Sequence, residues 1–338
     1  MSFGIIHYGE MPKILYLTMD DVKSAGLTDE DFINCISDSL WQQSLGKVDL
    51  VPRMSITLHP DAYLNAGAGW VEKLGAVGFN WSSYYPNNRG KGLNQYSGMI
   101  VLSDIKNGLP YVVMDGFYII SKRTAAVTAV SAKYLARKDA RTIGIIGVGV
   151  QGRENLRMLQ LVLPHLDLVK IYDINPDAAK TYIRTMSDEF RGKIVPCRSV
   201  EEAVTDVDIL ITATVVTEKP AVQIKDEWLP ERGSFIAPLD LLCLIGRETI
   251  LRMDKISTDN CTQLKTLERG FSFSGRVPQV CAHLDELCAG KRIGRESDEE
   301  NIMAINFGLA LHDIYIAKKI YDVAKELEIG TWLSPLTW

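Results

Sequence analysis

Thr142-Ile-Gly-Ile-Ile-Gly147-Val-Gly149-Val-Gln-Gly152 is a short apolar run that leads directly into Gly-x-Gly-x-x-Gly. The run predicts a β-strand, and residues 153–163 after it predict a helix. In that setting the three glycines have separate tasks. Gly147 permits a tight turn, Gly149 lets the backbone approach a pyrophosphate, and Gly152 lets the helix sit close on the strand. The helix N-terminus then aims amide hydrogens at the phosphates. A second strand over 168–172 ends in Asp173, whose carboxylate can accept from a ribose 2′-hydroxyl and would repel a 2′-phosphate. Strand, glycine turn, helix and acid in this order predict a Rossmann-type unit that takes NAD(H).

On the C-terminal side the pattern alternates like a doubly wound α/β sheet. A helix over 178–190 precedes a strand over 193–197, and a helix over 200–204 precedes a strand over 207–213. Residues 234–239 and 255–258 are expected as the outer strands. From Ile302 onward the chain reads as one long helix, because Ile302, Ile305, Leu309, Ile316, Ile320, Val323 and Leu327 recur at helical spacing. So apolar a helix must pack on something, and the N-terminal part is the expected partner. That part opens with a capping box, Thr28 and Asp31, before Phe32, Ile33, Ile36 and Leu40 at helical spacing. Strand-like runs follow over 98–102 and 111–114, separated by the turn residues Asn107, Gly108 and Pro110. A buried Ala- and Val-rich helix is expected over 121–136. The organisation predicted is a Rossmann domain over 139–304 and an α+β domain, discontinuous in sequence, from 1–138 and 305–338.

Composition narrows the partners. The chain has 338 residues, 46% hydrophobic and 23% charged, with a net charge of -5. These are globular values with no basic footprint for nucleic acid or an anionic membrane surface. No apolar run approaches the roughly 18 residues that span a bilayer. His7, Glu10 and Lys13 interrupt any leader-like pattern, so a cytoplasmic location is expected. Six cysteines without CxxC spacing are expected to be reduced structural thiols, and no metal site is expected.

In an open parallel sheet, ligands lie beyond the carboxyl ends of the strands. Thr212, Ala213 and Thr214 end one strand and suit a nicotinamide ribose, or serve only as turn residues. Asp240 follows the apolar Ala237-Pro238-Leu239 and could hold an amine or shuttle a proton, or act as a cap or turn residue. Arg123 stands among Thr124, Ala125, Ala126 and Val127, where an unpaired guanidinium would be expensive. It therefore needs an anion: a substrate carboxylate, a cofactor phosphate or a structural aspartate. Arg53 is a ligand candidate or a surface residue.

Ser121-Lys-Arg-Thr-Ala-Ala126, Gly147-Val-Gly-Val-Gln151, Gly308-Leu-Ala-Leu-His-Asp313 and Ile329-Gly-Thr-Trp-Leu333 together resemble the ornithine cyclodeaminase/mu-crystallin family, in collinear order over nearly the whole chain. Gly294-Arg-Glu-Ser-Asp-Glu-Glu300 resembles the branch that contains N-(2-amino-2-carboxyethyl)glutamate dehydrogenase. The resemblance implies a homodimer whose discontinuous domain carries dimerisation and substrate binding. It implies hydride transfer at an amino-acid α-carbon, interconverting an amine and an imine. Arg53 and Arg123 match substrate-carboxylate ligands. Thr124, Gly147, Gly149, Val150, Gln151, Gly152, Asp173, Thr212, Ala213, Thr214 and Asn306 match the cofactor side, and Asp240 matches the acid near the reacting amine. Two departures are notable. Asn80, in Gly78-Phe-Asn-Trp-Ser-Ser-Tyr-Tyr-Pro86, stands where many members carry a lysine, and is expected to orient substrate through hydrogen bonds. The usual Gly-Gly-Asp-x-Pro-Gly-Lys loop is the apolar Pro238-Leu-Asp-Leu-Leu-Cys-Leu244.

The favoured reading is an NAD-dependent amino-acid dehydrogenase or imine reductase. A cyclodeaminase that recycles its own NAD, and a non-enzymatic NAD(P)H-dependent small-molecule binding protein, are the alternatives. The aromatics Trp81, Tyr84, Tyr85, Tyr96 and Tyr118 fall in segments expected to border the site, or belong to the core or a dimer interface.

Overall fold

Thr142–Ile146 is the third strand of an eight-stranded, wholly parallel sheet in the computed structural model, which describes residues 13–59, 62–88, 90–217, 220–267 and 280–334. The residues around His7 and Glu10, read above for a leader pattern, lie outside that set. The strand order is Lys193–Pro196, Leu168–Tyr172, Thr142–Ile146, Ile209–Thr212, Phe235–Pro238, Ile302–Ala304, Lys255–Thr258, Val280–His283. The central strands Thr142–Ile146, Ile209–Thr212, Phe235–Pro238 and Ile302–Ala304 are covered on both faces and buried nearly throughout, without alternation. Ile209 and Ile211 point into one core while Leu210 points into the other.

Two expectations about this sheet need correction. Phe235–Pro238 and Lys255–Thr258 are not the outer strands, because Ile302–Ala304 lies between them and Val280–His283 forms the edge. The chain from Ile302 is likewise not one helix. It runs as that inserted strand, then the helix Ala310–Glu326, then the strand Thr331–Leu333. Three buried apolar residues satisfy either periodicity, and pairing with two neighbouring strands decides the matter.

The second sheet is mixed. Its order is Thr331–Leu333, Ile14–Leu17, Pro110–Asp115, Tyr96–Asp104, Ala76–Tyr84, Ala62–Val71, Val48–Leu50, with Met54–His59 also paired to Ala62–Val71. Helix Ala310–Glu326 packs across one face of it beside the helix Asp29–Ser44. The latter starts with the expected capping box, in which Thr28 Oγ1 accepts from Asp31 N at 3.1 Å. Helix Phe117–Leu135 runs between the two sheets and is buried along most of its length, a placement that Ala, Val and small hydroxyl residues permit. No helix among the described residues is long and apolar enough to cross a membrane.

Candidate active site

The parallel sheet reverses its winding between Thr142–Ile146 and Ile209–Thr212, so a crevice opens beyond their carboxyl ends. Gly147 turns the chain there with φ +90°, and a Cβ on it would lie 2.6 Å from the Ala213 carbonyl oxygen. On Gly152 a Cβ would lie 2.6 Å from the Gly147 oxygen. The protein's own packing thus requires both glycines. Gly149, the N-cap of helix Val150–Val162, is different: a Cβ there would meet nothing within 4 Å. The space above Gly149 is open to a ligand, as the pyrophosphate reading needs. Val150, next in the turn, is partly exposed on the same lip.

Asp173 binds the turn from the neighbouring strand end. Its Oδ2 accepts from Val148 N at 3.0 Å and its Oδ1 from Asn175 N at 2.9 Å. Two further residues tie this edge to the helix Phe117–Leu135: Gln151 Nε2 donates to the Ser121 carbonyl at 3.3 Å, and Asn306 Nδ2 to Ser131 Oγ at 2.8 Å.

Asp240 is fully buried, and each of its carboxylate oxygens accepts from a hydroxyl, Thr212 Oγ1 and Thr214 Oγ1, both at 2.8 Å. Burial raises its pKa and the two hydroxyl bonds oppose the rise, so the net shift is upward. The apolar run after it folds inward, with Leu242, Cys243, Leu244 and Ile245 buried. Leu241 and Leu242 both adopt left-handed backbone, φ +53° and +67°. Two successive non-glycine residues in that region are unusual, and buried side chains hold them there.

The second half of the site faces this edge from the helix Phe117–Leu135 and the mixed sheet. Arg123 Nε donates to Asp313 Oδ1 at 3.0 Å, and its Nη1 to Thr124 Oγ1 at 2.9 Å. Asn80 Nδ2 donates to Asp313 Oδ2 in a short bond, while Asn80 Oδ1 accepts from Gly67 N at 2.9 Å. The Asn80 amide is therefore engaged by protein at both ends. Asp313 is fully buried; burial pushes its pKa up, against the pull of Arg123. Arg53 makes one long bond, Nη1 to the Phe307 carbonyl at 3.4 Å, and burial and then the charge of Arg123 lower its pKa. Two guanidiniums thus share one neighbourhood, and one of them has little of its donor capacity used. Such a pair suits a carboxylate, whose two oxygens match the guanidinium fork.

The structure brings Arg53, Arg123 and Asn80 together through Phe307 and Asp313, and groups Asp240 with Thr212 and Thr214. Sequence reasoning missed two acids. Asp313 lay inside a quoted motif without a role, and Asp259, directly after Lys255–Thr258, satisfied the strand-end rule that picked out Asp240. Among the aromatics, Trp81 lies on the opposite sheet face from Asn80 and is exposed, while Tyr84 packs between Tyr63 and Tyr96 with centroid distances of 5.4 and 4.5 Å. Tyr118 packs edge-on to Phe32. The cysteines are all free, as expected, but Cys261 Sγ lies 3.2 Å from His283 Nε2.

The profile of the ornithine cyclodeaminase/mu-crystallin family matches residues 13–328. An archaeal alanine dehydrogenase dimer with bound NAD superposes with a TM-score of 0.82 at 30% identity, covering 95% of this chain and 99% of that one. The Δ1-pyrroline-2-carboxylate reductase of Thermococcus litoralis, in complex with NADH and L-proline, gives a TM-score of 0.82 at 29% identity, covering 94% and 99%. The N-((2S)-2-amino-2-carboxyethyl)-L-glutamate dehydrogenase of Staphylococcus aureus is 30% identical over 264 residues, 76% of this chain and 77% of that protein.

Proposed function

The chain belongs to the ornithine cyclodeaminase/mu-crystallin family, and from that premise we propose that it is an NAD-dependent oxidoreductase interconverting an amino acid or secondary amine with its imine or keto acid. One observation carries the reading: the open glycine turn with Asp173, and the Phe307–Gly308 segment that lies against Arg53 and Arg123, both follow the carboxyl ends of strands of one parallel sheet. Bound NAD(H) supplies or takes the hydride at the substrate α-carbon. The chain's residues do the rest. Arg53 and Arg123 hold the carboxylate, so the α-carbon is presented in one orientation. Asp313 and Asn80 hold Arg123 in place. Asp240 accepts the proton released as the amine becomes an imine, and returns it in the reverse direction. A carboxyl with a raised pKa is closer to the balance that proton exchange needs than an ordinary surface aspartate. The relatives named above act on alanine, a cyclic imino acid and an N-substituted amino acid, which shares the α-carbon chemistry and varies the side chain.

The functional unit is a homodimer. Met54, Trp81 and Met99 lie in one register row that crosses four strands through Ala66 and share one sheet face, with Phe79 and Ile56 on the same side; these five large apolar residues are exposed. A second copy of the same apolar face is the self-complementary cover such a patch calls for.

The deciding experiment follows absorbance at 340 nm with NADH and a panel of 2-imino acids, and of 2-oxo acids with ammonia. Net NADH oxidation by at least one member is expected. Ammonia release from a diamino acid without net NADH change would instead mean cyclisation with internal recycling. Retained NADH binding with no turnover anywhere would mean a binding protein.

A further inference from the structure

Asp259 is buried at the carboxyl end of Lys255–Thr258. Its two oxygens accept from successive backbone amides, Oδ1 from Phe307 N at 2.9 Å and Oδ2 from Gly308 N at 2.7 Å. Gly308 has φ +73°, and consecutive amides converging on one anion at such a left-handed residue form an anion-binding nest. Here the protein fills the nest with its own carboxylate.

The consequence follows from the planarity of the peptide. The described residues contain no cis peptide bond, so the Phe307 carbonyl points away from the Gly308 N–H. Fixing that N–H on Asp259 therefore aims the Phe307 oxygen to the opposite side, where Arg53 Nη1 donates to it. The next atom, the Gly308 Cα, lies against the other arginine: a Cβ built there would run into the Arg123 guanidinium. One peptide plane thus seats both arginines. Asp259 also attracts both electrostatically.

We propose that Asp259 is the positioning residue of the carboxylate-binding pair, setting the separation of Arg53 and Arg123 by clamping the Phe307–Gly308 peptide. The inference rests on the reading that these arginines receive the substrate carboxylate. Asparagine cannot replace this clamp, because its NH2 would face a backbone N–H, donor against donor, and the charge on both bonds would be lost.

The test uses the full-length protein and whichever panel substrate has the highest kcat/KM. Asp259→Asn should raise KM roughly ten- to a hundredfold, the scale of losing a charge-assisted contact, while kcat stays within about threefold and NADH affinity holds. A general folding defect would lower kcat and NADH binding together, which overturns the proposal. In an Arg53→Ala background the same substitution should cost less than it does alone, and full additivity also overturns it. If Asp259→Asn is insoluble, Gly308→Ala decides, since it leaves Asp259 intact but pushes Arg123 off its seat; unchanged KM there is fatal. Arg53→Ala separates the two layers. A raised KM for Arg53→Ala with normal KM for Asp259→Asn sinks Asp259 alone. A normal KM for Arg53→Ala removes the carboxylate reading and this inference with it, as does the absence of any panel substrate.

Discussion

At Asp240 the site exposes its sharpest dependence on a single side chain. Both oxygens are already hydrogen-bonded to Thr212 and Thr214, so Asp240→Asn keeps one acceptor but turns the other into a donor facing a hydroxyl that can rotate. Folding should survive that change. Turnover should not: a loss of roughly 100-fold or more is expected for removing a general acid–base group. NADH affinity, titrated by fluorescence, should stay nearly unchanged. Near-normal turnover across the pH range would reduce Asp240 to a turn residue. Its candidacy was legible, because a carboxylate directly after an apolar parallel strand faces the ligand edge. Its burial and upward pKa shift were not, because they depend on where Leu241 to Ile245 fold. Arg123 shows the same division. Small apolar neighbours announced a need for an anion, but Asp313 lies 190 positions away, and nothing local selects it over other acids.

Among elements, the helix Ala310–Glu326 carries more than packing. Its His312 is fully buried, with Nδ1 2.8 Å from Ser39 Oγ on the helix Asp29–Ser44. Burial, and then the charge of Arg123, drive the His312 pKa down to about 3 from 6.5. The sign follows from linkage. In the unfolded chain this histidine takes a proton below about pH 6.5, while in the fold it stays neutral, so stability is full above 6.5 and declines as pH falls toward 3. One proton changes stability by about 1.4 kcal/mol per pH unit. His312→Gln, a neutral amide of similar reach, should flatten the acid side of the curve by up to that slope. Urea unfolding at pH 7, 6 and 5 measures it, and identical slopes for both proteins would refute the assignment. Adjacent in sequence, Asp313 is the counter-ion of Arg123, so the stability of this helix and the posture of the site are linked.

For the whole molecule, the proposed homodimer rests on the apolar face of the mixed sheet. Trp81 is 39% exposed and Met54 62% exposed in the single chain, in one register row. Trp81→Asp places a charge in the middle of that row and should shift sedimentation from dimer to monomer at micromolar concentration. A wild-type protein already monomeric at high concentration would refute the dimer. The neighbouring Asn80 points the other way, into the layer beneath the helix Ala310–Glu326, because successive strand residues alternate faces.

What the sequence determined by itself was the nucleotide-binding unit: the strand, glycine turn, helix and acid from Thr142 to Asp173, the alternation after it, and the capping box at Thr28. These depend on interactions between residues a few positions apart, so local periodicity and turn chemistry specify them. Tertiary structure alone decided that Ile302–Ala304 is a strand inserted between Phe235–Pro238 and Lys255–Thr258, since a three-residue apolar run belongs to whichever neighbour offers backbone partners. It alone decided that Asp313 meets Arg123 and Asn80, and that Asp259 holds Phe307 and Gly308. A buried charge must be compensated, and the sequence declares that need. Which distant residue meets it depends on how the two sheets pack against the helix between them.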